Sequence, residues 1–550
     1  MDAAIQVTPI AELGSFSGRF RSGLEPSQQD LERPLREKQA SIAIVGGGFS
    51  AIATLNQIVK KVEERREQGE ELPLIKIAVF AKDGIDRGIA YRQPGKSEDA
   101  GVFILNQPAD FMSWDPQDKQ VYTKWLHRNN KRDEFGKQLD GDSFTSRALY
   151  GEAIEDLYRN SLLRAEALGI EVVTVKGAVT DLIVEPKNTG VRLEIAEAEG
   201  MQQSAFREQA GYTVLALGHS PYNPFPYLNG SDRYILRPFE LTEYHQLKTK
   251  HPELFQAGEK DAKVALVGGA SSSLDAIRAL EHLGFQGRYV IVAPSPSIEV
   301  SEGATEGQTG DYGRPWSFDP EVYSRKSFAD YRPDILTAES FSPTASFLTL
   351  GKKLGQELKA AQERGFGEGH VYFGLPLEEM KRKIEGLPEA ETEGARQFIK
   401  YVTHMQGCAT APESASLYRQ LELQGRIDRL EGRVTTSPQS SPNLAKEDGP
   451  LLLGTSMADG RTFVLEVDAA VNCCAFPKSH LSPTTARLAD SVSTDPNSPL
   501  GLLGPPAKIG RRFGAETFAV EAEEQAEQAL RLSFKNARLV KEGSESVNAN

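Results

Sequence analysis

Three glycines in a row, Gly46-Gly47-Gly48, followed by Phe49, Ser50 and Ala51, are the residues whose types and spacing most directly imply chemistry. They fit a G-x-G-x-x-A loop. Gly46 permits a tight turn, Gly48 lets the main chain approach a pyrophosphate, and small Ala51 lets a helix pack on the preceding strand. A helix starting there points its first N–H groups and its positive dipole end at the phosphates. The elements that must hold the loop flank it: SIAIV is a β-branched run, LNQIVKKVEERREQ a long helix, and LPLIKIAVFA a second strand. Strand, glycine loop, helix and strand is how a doubly wound sheet begins. The second strand should close on an acid for a ribose hydroxyl. Instead Ala81 stands there, with Lys82 and Asp83 beyond it. Asp83 on the ribose, Lys82 on a phosphate, and both as solvated turn residues all stay open.

A second copy follows in KVALVGGASSSLDAIRALEHLGFQGRYVIVA, residues 263–293. Its loop is Gly268-Gly269-Ala270, then Ser271, Ser272, Ser273 and Leu274-Asp275. Alanine in place of a further glycine resists positive φ and adds a methyl group near any pyrophosphate. The next strand ends in Ala293-Pro294-Ser295, with no acid for NAD and no arginine for a 2′-phosphate. Whether this loop is occupied, and by NADH or NADPH, is therefore open.

Between the two copies lies a set of short elements: Gly88-Ile89-Ala90-Tyr91, Leu105-Asn106-Gln107-Pro108-Ala109, Met112-Ser113, and Phe144, Arg147, Tyr150 and Gly151 in F-x-x-R-x-x-Y-G spacing. Together with the first glycine loop, they resemble a family of bacterial FAD/NAD(P)-binding proteins. The likeness is dense from 41 to 222. The wider group it resembles includes flavin-dependent N-hydroxylating monooxygenases. What the resemblance implies is FAD on the first loop and NADPH or NADH on the second. It also implies Asn106, Gln107, Met112 and Ser113 along the isoalloxazine, and Gly218 at a turn near the adenine half. Amides suit the ring's polar edge and an apolar cover keeps water out; Met112 and Trp114 as plain core residues is the competing reading. At the C-terminal turn many relatives have N-C-T-G, whereas this chain has Asn472-Cys473-Cys474-Ala475. Adjacent cysteines rarely meet disulfide geometry, so buried, inert thiols are expected.

The fold class expected is α/β, with two Rossmann-like dinucleotide-binding domains, the FAD domain discontinuous and the NAD(P)-type domain inserted. The expected boundaries are an arm over 1–40, FAD domain 41–225, NAD(P)-type domain with substrate-side insertions 226–460, FAD domain again 461–533, and a polar tail 534–550. The stretch ETFAVEAEEQAEQALRL reads as a closing helix. TTSPQSSPNLAKEDGP (435–450) reads as a loop. Residues 309–334 mix aromatics with Arg314, Arg325, Lys326 and Arg332; a carboxylate site and an exposed connection are both open there.

Composition narrows the partners. A net charge of −14 without a basic stripe disfavours nucleic acid. No apolar run is long enough for a membrane span. Three cysteines among 550 residues are too few for a disulfide framework and suit a reducing cytoplasm. The eight histidines show no metal-ligand spacing. The function implied by resemblance is an NAD(P)H-using monooxygenase in which a flavin C4a-hydroperoxide passes oxygen to the nitrogen of an amino acid or small amine. O2 and that small molecule would be its partners, and a homo-oligomer its possible state. The alternatives are a flavin reductase or dehydrogenase without oxygenation, and a non-catalytic FAD-binding sensor acting through a partner protein.

Overall fold

A computed structural model describes residues 39–82, 84–85, 87–92, 99–185, 190–196, 206–218, 223–256, 258, 261–269, 271–293, 316–317, 330–407, 409–434, 450–457, 461–474, 498–503 and 515–547. The expected arm up to residue 38, the 435–449 segment and most of 309–334 lie outside them, as do Asp83, His219, Ala270, Ser295 and Cys408; residues 39 and 40 of that arm open the first strand.

The first unit opens with β1 (Gln39–Val45), α1 (Phe49–Glu67) and β2 (Leu74–Ala81), then α2 (Val121–Arg128) and α3 (Arg147–Ala167). It continues through β3 (Glu171–Lys176), β4 (Ala178–Val184), β5 (Val191–Ala196), β6 (Phe206–Ala210) and β7 (Tyr212–Leu215). Five strands form a parallel sheet in the order β17-β7-β1-β2-β3, where β17 is Leu500–Leu502. β1, β2 and β7 are mainly apolar because both faces are covered. Ile42, Ile44, Ile77 and Val79 face a helical layer, while Ala43, Val45, Ala78 and Phe80 face the antiparallel meander β4–β5–β6. The switch in strand order falls between β1 and β7, which puts the Gly46 loop at the crevice where open α/β sheets bind ligands.

The second unit holds β8 (Tyr234–Ile235), α4 (Leu241–Lys250), β9 (Lys263–Val267), α5 (Ser271–His282) and β10 (Arg288–Ala293). A helical insertion interrupts it: after β11 (Trp316–Ser317) come α6 (Phe347–Glu363), α7 (Glu368–Gly374), α8 (Leu377–Ile384) and α9 (Glu389–Gly407), then β12 (Ala409–Thr410), which pairs with β11. The insertion has its own core, including Leu336, Leu350, Phe398 and Val402. The chain returns through α10 (Pro412–Leu423), β13 (Ile427–Val434), β14 (Leu451–Met457), β15 (Thr462–Val467) and β16 (Ala469–Asn472). The second sheet runs β15-β14-β13-β10-β9-β16-β8, with β14 antiparallel to both its neighbours and the other pairings parallel.

Two boundaries differ from expectation. β15 and β16 belong to the second sheet, so the return to the first unit comes at β17, not at residue 461. A short apolar strand followed by a turn looks the same in either sheet. The expected tail from 534 is instead helical, because the last helix, α11, runs Ala515–Val547. Its Lys, Ala, Arg, Leu and Glu residues favour helix enough to offset Gly543, which costs about 1 kcal/mol. α11 lies on α1 and buries Ala522, Ala526, Ala529, Leu530 and Leu532 in the first core. Among the described residues, no helix is long and apolar enough to cross a membrane.

Candidate functional site

The two glycine loops are built on matching contacts. In the first, the Gly46 N–H donates to Phe80 O at 2.8 Å, and Ala216 N–H to Val45 O at 2.8 Å. In the second, Gly268 N–H donates to Val292 O at 2.9 Å, and Cys473 N–H to Val267 O at 2.9 Å. Gly46 and Gly268 have φ of +138° and +123°. A Cβ on either would overlap the carbonyl oxygen of the neighbouring strand, Ala216 or Cys473. Both first glycines are therefore required by backbone conformation and by close packing together. Matching loops at the ends of β1 and β9 fit the expected duplication of a nucleotide-type unit.

Gly48 has a different role. Its φ of −92° suits any residue, but a Cβ there would stand 3.2 Å from the Cα of Gly88. It forms the N-cap of α1, without a side-chain cap and without an acid in the first turn. Such a terminus presents N–H groups and positive dipole to an anion. Ala51 is buried against the sheet, and Ser50 is half-exposed at the same end. Behind the loop stands an aromatic cluster. Phe49 lies 5.9 Å from Tyr150, and Tyr150 lies 4.9 Å from both Tyr91 and Tyr122. Burial pushes the Tyr91 and Tyr150 phenols upward, so both stay neutral. The Tyr150 hydroxyl is buried without a hydrogen-bond partner among the described residues. An uncapped helix end, a glycine-lined approach and an orphaned hydroxyl fit a dinucleotide better than a purely structural turn.

The Gly88 and Tyr150-Gly151 elements explain one another. Arg87 and Gly88 have φ of +69° and +85°, and Arg87 forms an isolated bridge with Gly48 and an ion pair with Glu155. Gly151 lacks a Cβ where the Tyr91 carbonyl passes. The L-N-x-P-A segment runs beside the segment that leads into α3: Leu105 N–H donates to Thr145 O at 2.9 Å, Ala109 N–H to Ser143 O at 3.0 Å, and Arg147 N–H to Phe103 O at 2.9 Å. Asn106 and Gln107 are thereby held half-exposed at the seam between units.

Other expected site residues fall differently. Met112 is buried in the first core. Ser113 is also buried, its hydroxyl 2.7 Å from the carbonyls of Asp115 and Asp118 and accepting from Asp115 N–H. Those contacts give Ser113 a turn-stabilising role and leave its oxygen occupied by main chain. Lys82 is exposed at the end of β2. Gly218 takes a left-handed φ of +62° as the chain leaves β7. In the second loop, Ser272 is half-exposed, and its carbonyl lies 3.6 Å from the Cys473 sulfur; Ser271 opens α5. Cys473 and Cys474 are unpaired, and Cys474 Sγ sits 3.3 Å from Val267 O. Burial pushes Cys473 well above its ordinary range and Cys474 to about 11, so neither is a thiolate near neutrality.

Two partners escaped sequence reasoning. Arg147 Nη2 donates to Asp275 Oδ2 across the two units at 2.8 Å, with both side chains nearly buried. Phe111, just beyond the 105–109 element, packs its ring against Phe373 of α7 in the helical insertion, the centroids 4.8 Å apart and the planes tilted by 50°. The F-x-x-R-x-x-Y-G spacing puts Arg147 and Tyr150 one helical turn apart, a signal for Arg147; nothing in the sequence pairs it with Asp275.

A sequence-family profile described as FAD-NAD(P)-binding matches residues 43–220. No curated protein matches the chain. Among solved structures, the chain is similar to an ornithine N-hydroxylase of Kutzneria sp. 744, at 13% identity over 90% of this chain and 99% of that one, TM-score 0.47. It is similar to an ornithine hydroxylase of Pseudomonas aeruginosa, at 12% identity with the same coverage and TM-score 0.48. An L-lysine 6-monooxygenase of Pseudomonas syringae overlaps equally, at 12% identity, with TM-score 0.47. Overlap at this level says nothing of substrate. The matched segment, residues 43–220, contains the Gly46 loop, the Gly88–Tyr91 turn and the Asn106 and Arg147 elements, the residues on which the sequence resemblance rests.

Proposed function

We propose that the chain is an FAD-dependent, NAD(P)H-using monooxygenase acting on the amino nitrogen of an amino acid or small amine. The observation that carries the reading is the pair of matching glycine loops in two units whose contact seam also holds Asn106 and Arg147. When bound, a flavin would accept hydride from the nicotinamide and activate oxygen. The chain's own work is placement. The Gly46–Gly48 turn and the α1 N-terminus would hold a pyrophosphate, with Phe49, Ser50 and Ala51 shaping that end. Asn106 and Gln107 would offer amides to a ring edge. Met112 would act from behind through packing, while the occupied hydroxyl of Ser113 argues for a supporting role. Gly218 would leave room near an adenosine, with Lys82 placed for a phosphate. Gly268, Ser271 and Ser272 would hold the nicotinamide nucleotide. The Phe111–Phe373 ring contact would help exclude water from the seam.

The test is a balance sheet of products. Purified protein loaded with FAD is given NADPH or NADH under air with a panel of amino acids and amines. The reading expects one amine to yield hydroxylated product in step with oxygen consumed. Nicotinamide oxidation that yields only hydrogen peroxide with every amine moves the chain to the reductase class. A protein that takes up FAD but is never reduced by either nicotinamide would be left with a sensing role.

A further inference from the structure

Helix α5 carries Asp275, Arg278 and His282 at i, i+3 and i+7, a spacing that lines them up on one face. All three reach the first unit. Asp275 takes the Arg147 bond at 2.8 Å. Arg278 Nε donates to the Val102 carbonyl at 2.7 Å. His282 Nε2 lies 2.9 Å from Asp99, whose other oxygen is 3.0 Å from His245 Nε2 of α4. The rest of α5 serves its own unit: Leu274, Ile277 and Leu280 are buried in the second core. The helix that begins at the second glycine loop therefore has a polar stripe devoted to its neighbour.

Within that stripe, the Asp275–Arg147 contact is nearest the loop. Arg147 is the first residue of α3, whose N-cap Ser146 accepts from Leu149 N–H at 3.1 Å. Its own N–H is bound to Phe103 O. Its guanidinium lies over the Phe239 ring at 4.8 Å, and Nη2 is 3.5 Å from Asn106 Oδ1. Arg147 is fixed by the same segment that presents the amides. We infer that Arg147 and Asp275 are a positioning pair that holds the second glycine loop, and a nicotinamide nucleotide seated on it, in register with the Asn106–Gln107 segment. The inference rests on the nicotinamide–flavin reading, to which it adds the residues that set the distance between the two nucleotides. A bidentate-capable guanidinium whose side chain is largely buried fixes direction as well as distance.

The experiment compares wild type with Asp275→Asn and with the double variant Arg147→Met/Asp275→Leu, which leaves no unpaired charge. FAD-loaded protein is mixed without oxygen with NADPH, with NADH, and separately with dithionite. Both variants are expected to keep one FAD per chain and an unchanged dithionite reduction. Their reduction by nicotinamide should slow at least tenfold. In protein without added nucleotide, hydrogen exchange should quicken together at 274–277 and at 103–106. An unaltered nicotinamide rate, loss of FAD from the variants, or faster exchange confined to α5 overturns the pair's role. A wild-type chain that takes up no FAD sinks the functional reading instead, and the exchange measurement still decides whether the two segments are tied.

Discussion

At the residue scale, the first glycine loop separates two demands that one motif usually merges. Gly46 is needed by the fold, through positive φ and the Ala216 carbonyl beside it. Gly48 has an ordinary φ and only the Gly88 backbone beside it, and it is the position proposed above to face a pyrophosphate. Gly46→Ala should cost about 3 kcal/mol or more and lower Tm sharply. Gly48→Ala should fold with a Tm within a few degrees of wild type yet fail to retain FAD. Equal losses of Tm in the two variants would remove the distinction. A second residue-scale prediction concerns Asp142. Burial, with Asp140, Asp110 and Asp330 nearby, raises its carboxyl to about 6. The unfolded chain should titrate it at about 3.9. A raised folded value favours the folded state at low pH, and that contribution is lost as pH climbs from about 4 through about 6. Asp142→Asn should therefore raise Tm at pH 7 and leave it unchanged at pH 4, read by paired thermal melts. The glycines were legible because turn geometry admits few residue types. The Arg147–Asp275 pair was not, since 128 positions of chain separate partners that only the assembled units bring together.

At the element scale, the helical insertion depends on one carboxylate. Glu357 of α6 is fully buried and accepts from Tyr331 Oη at 2.7 Å and from the N–H groups of Asp334, Ile335 and Leu336 at 3.1, 2.6 and 2.9 Å. Burial opposes its charge, but these donors hold the carboxyl below the usual glutamate range. A depressed folded value adds stability above the unfolded pKa, which is lost as pH falls through the folded one. Proteolysis of the 330–407 segment should accelerate only below about pH 4 in wild type. Glu357→Gln, which turns one of the two acceptor oxygens into an NH2 donor facing at least one of these N–H groups, should cost about 2–4 kcal/mol and make the segment protease-sensitive at pH 7 as well. Resistance unchanged at pH 7 would refute this. The insertion's place between β10 and β13 was legible only as an interruption. Its separate core was not, because amphipathic helices reveal an apolar stripe and not the surface that receives it.

At the scale of the whole molecule, the first unit is made of two distant pieces of chain. Residues 39–225 supply β1, β2, β3 and β7, while β17 and α11 come from beyond the second unit. Expressed alone, 39–225 should give no cooperative melt, because β1 and α1 lose the cover of α11, which adds Leu530 and Leu532 to their shared core, and burial of each such side chain is worth about 1.5–3 kcal/mol. Joining 498–550 to it through a flexible linker should restore the transition. The contiguous piece 223–474 should melt cooperatively without help, since its sheet closes within itself. A cooperative 39–225 fragment would overturn the account. Two nucleotide-type units and their discontinuity were visible in the sequence. The place where the chain changes sheets was not, since hydrophobic pattern marks a strand without naming its neighbours.

That interleaving has a price in time during synthesis. Between Leu215, the end of β7, and Leu500, which pairs beside it, 284 residues must leave the ribosome. At about 5–20 residues per second that is on the order of 15 to 60 seconds. For that interval the nascent sheet waits with a bare edge strand and an uncovered apolar helix. The later unit finishes first, and the earlier one is completed by chain made after it.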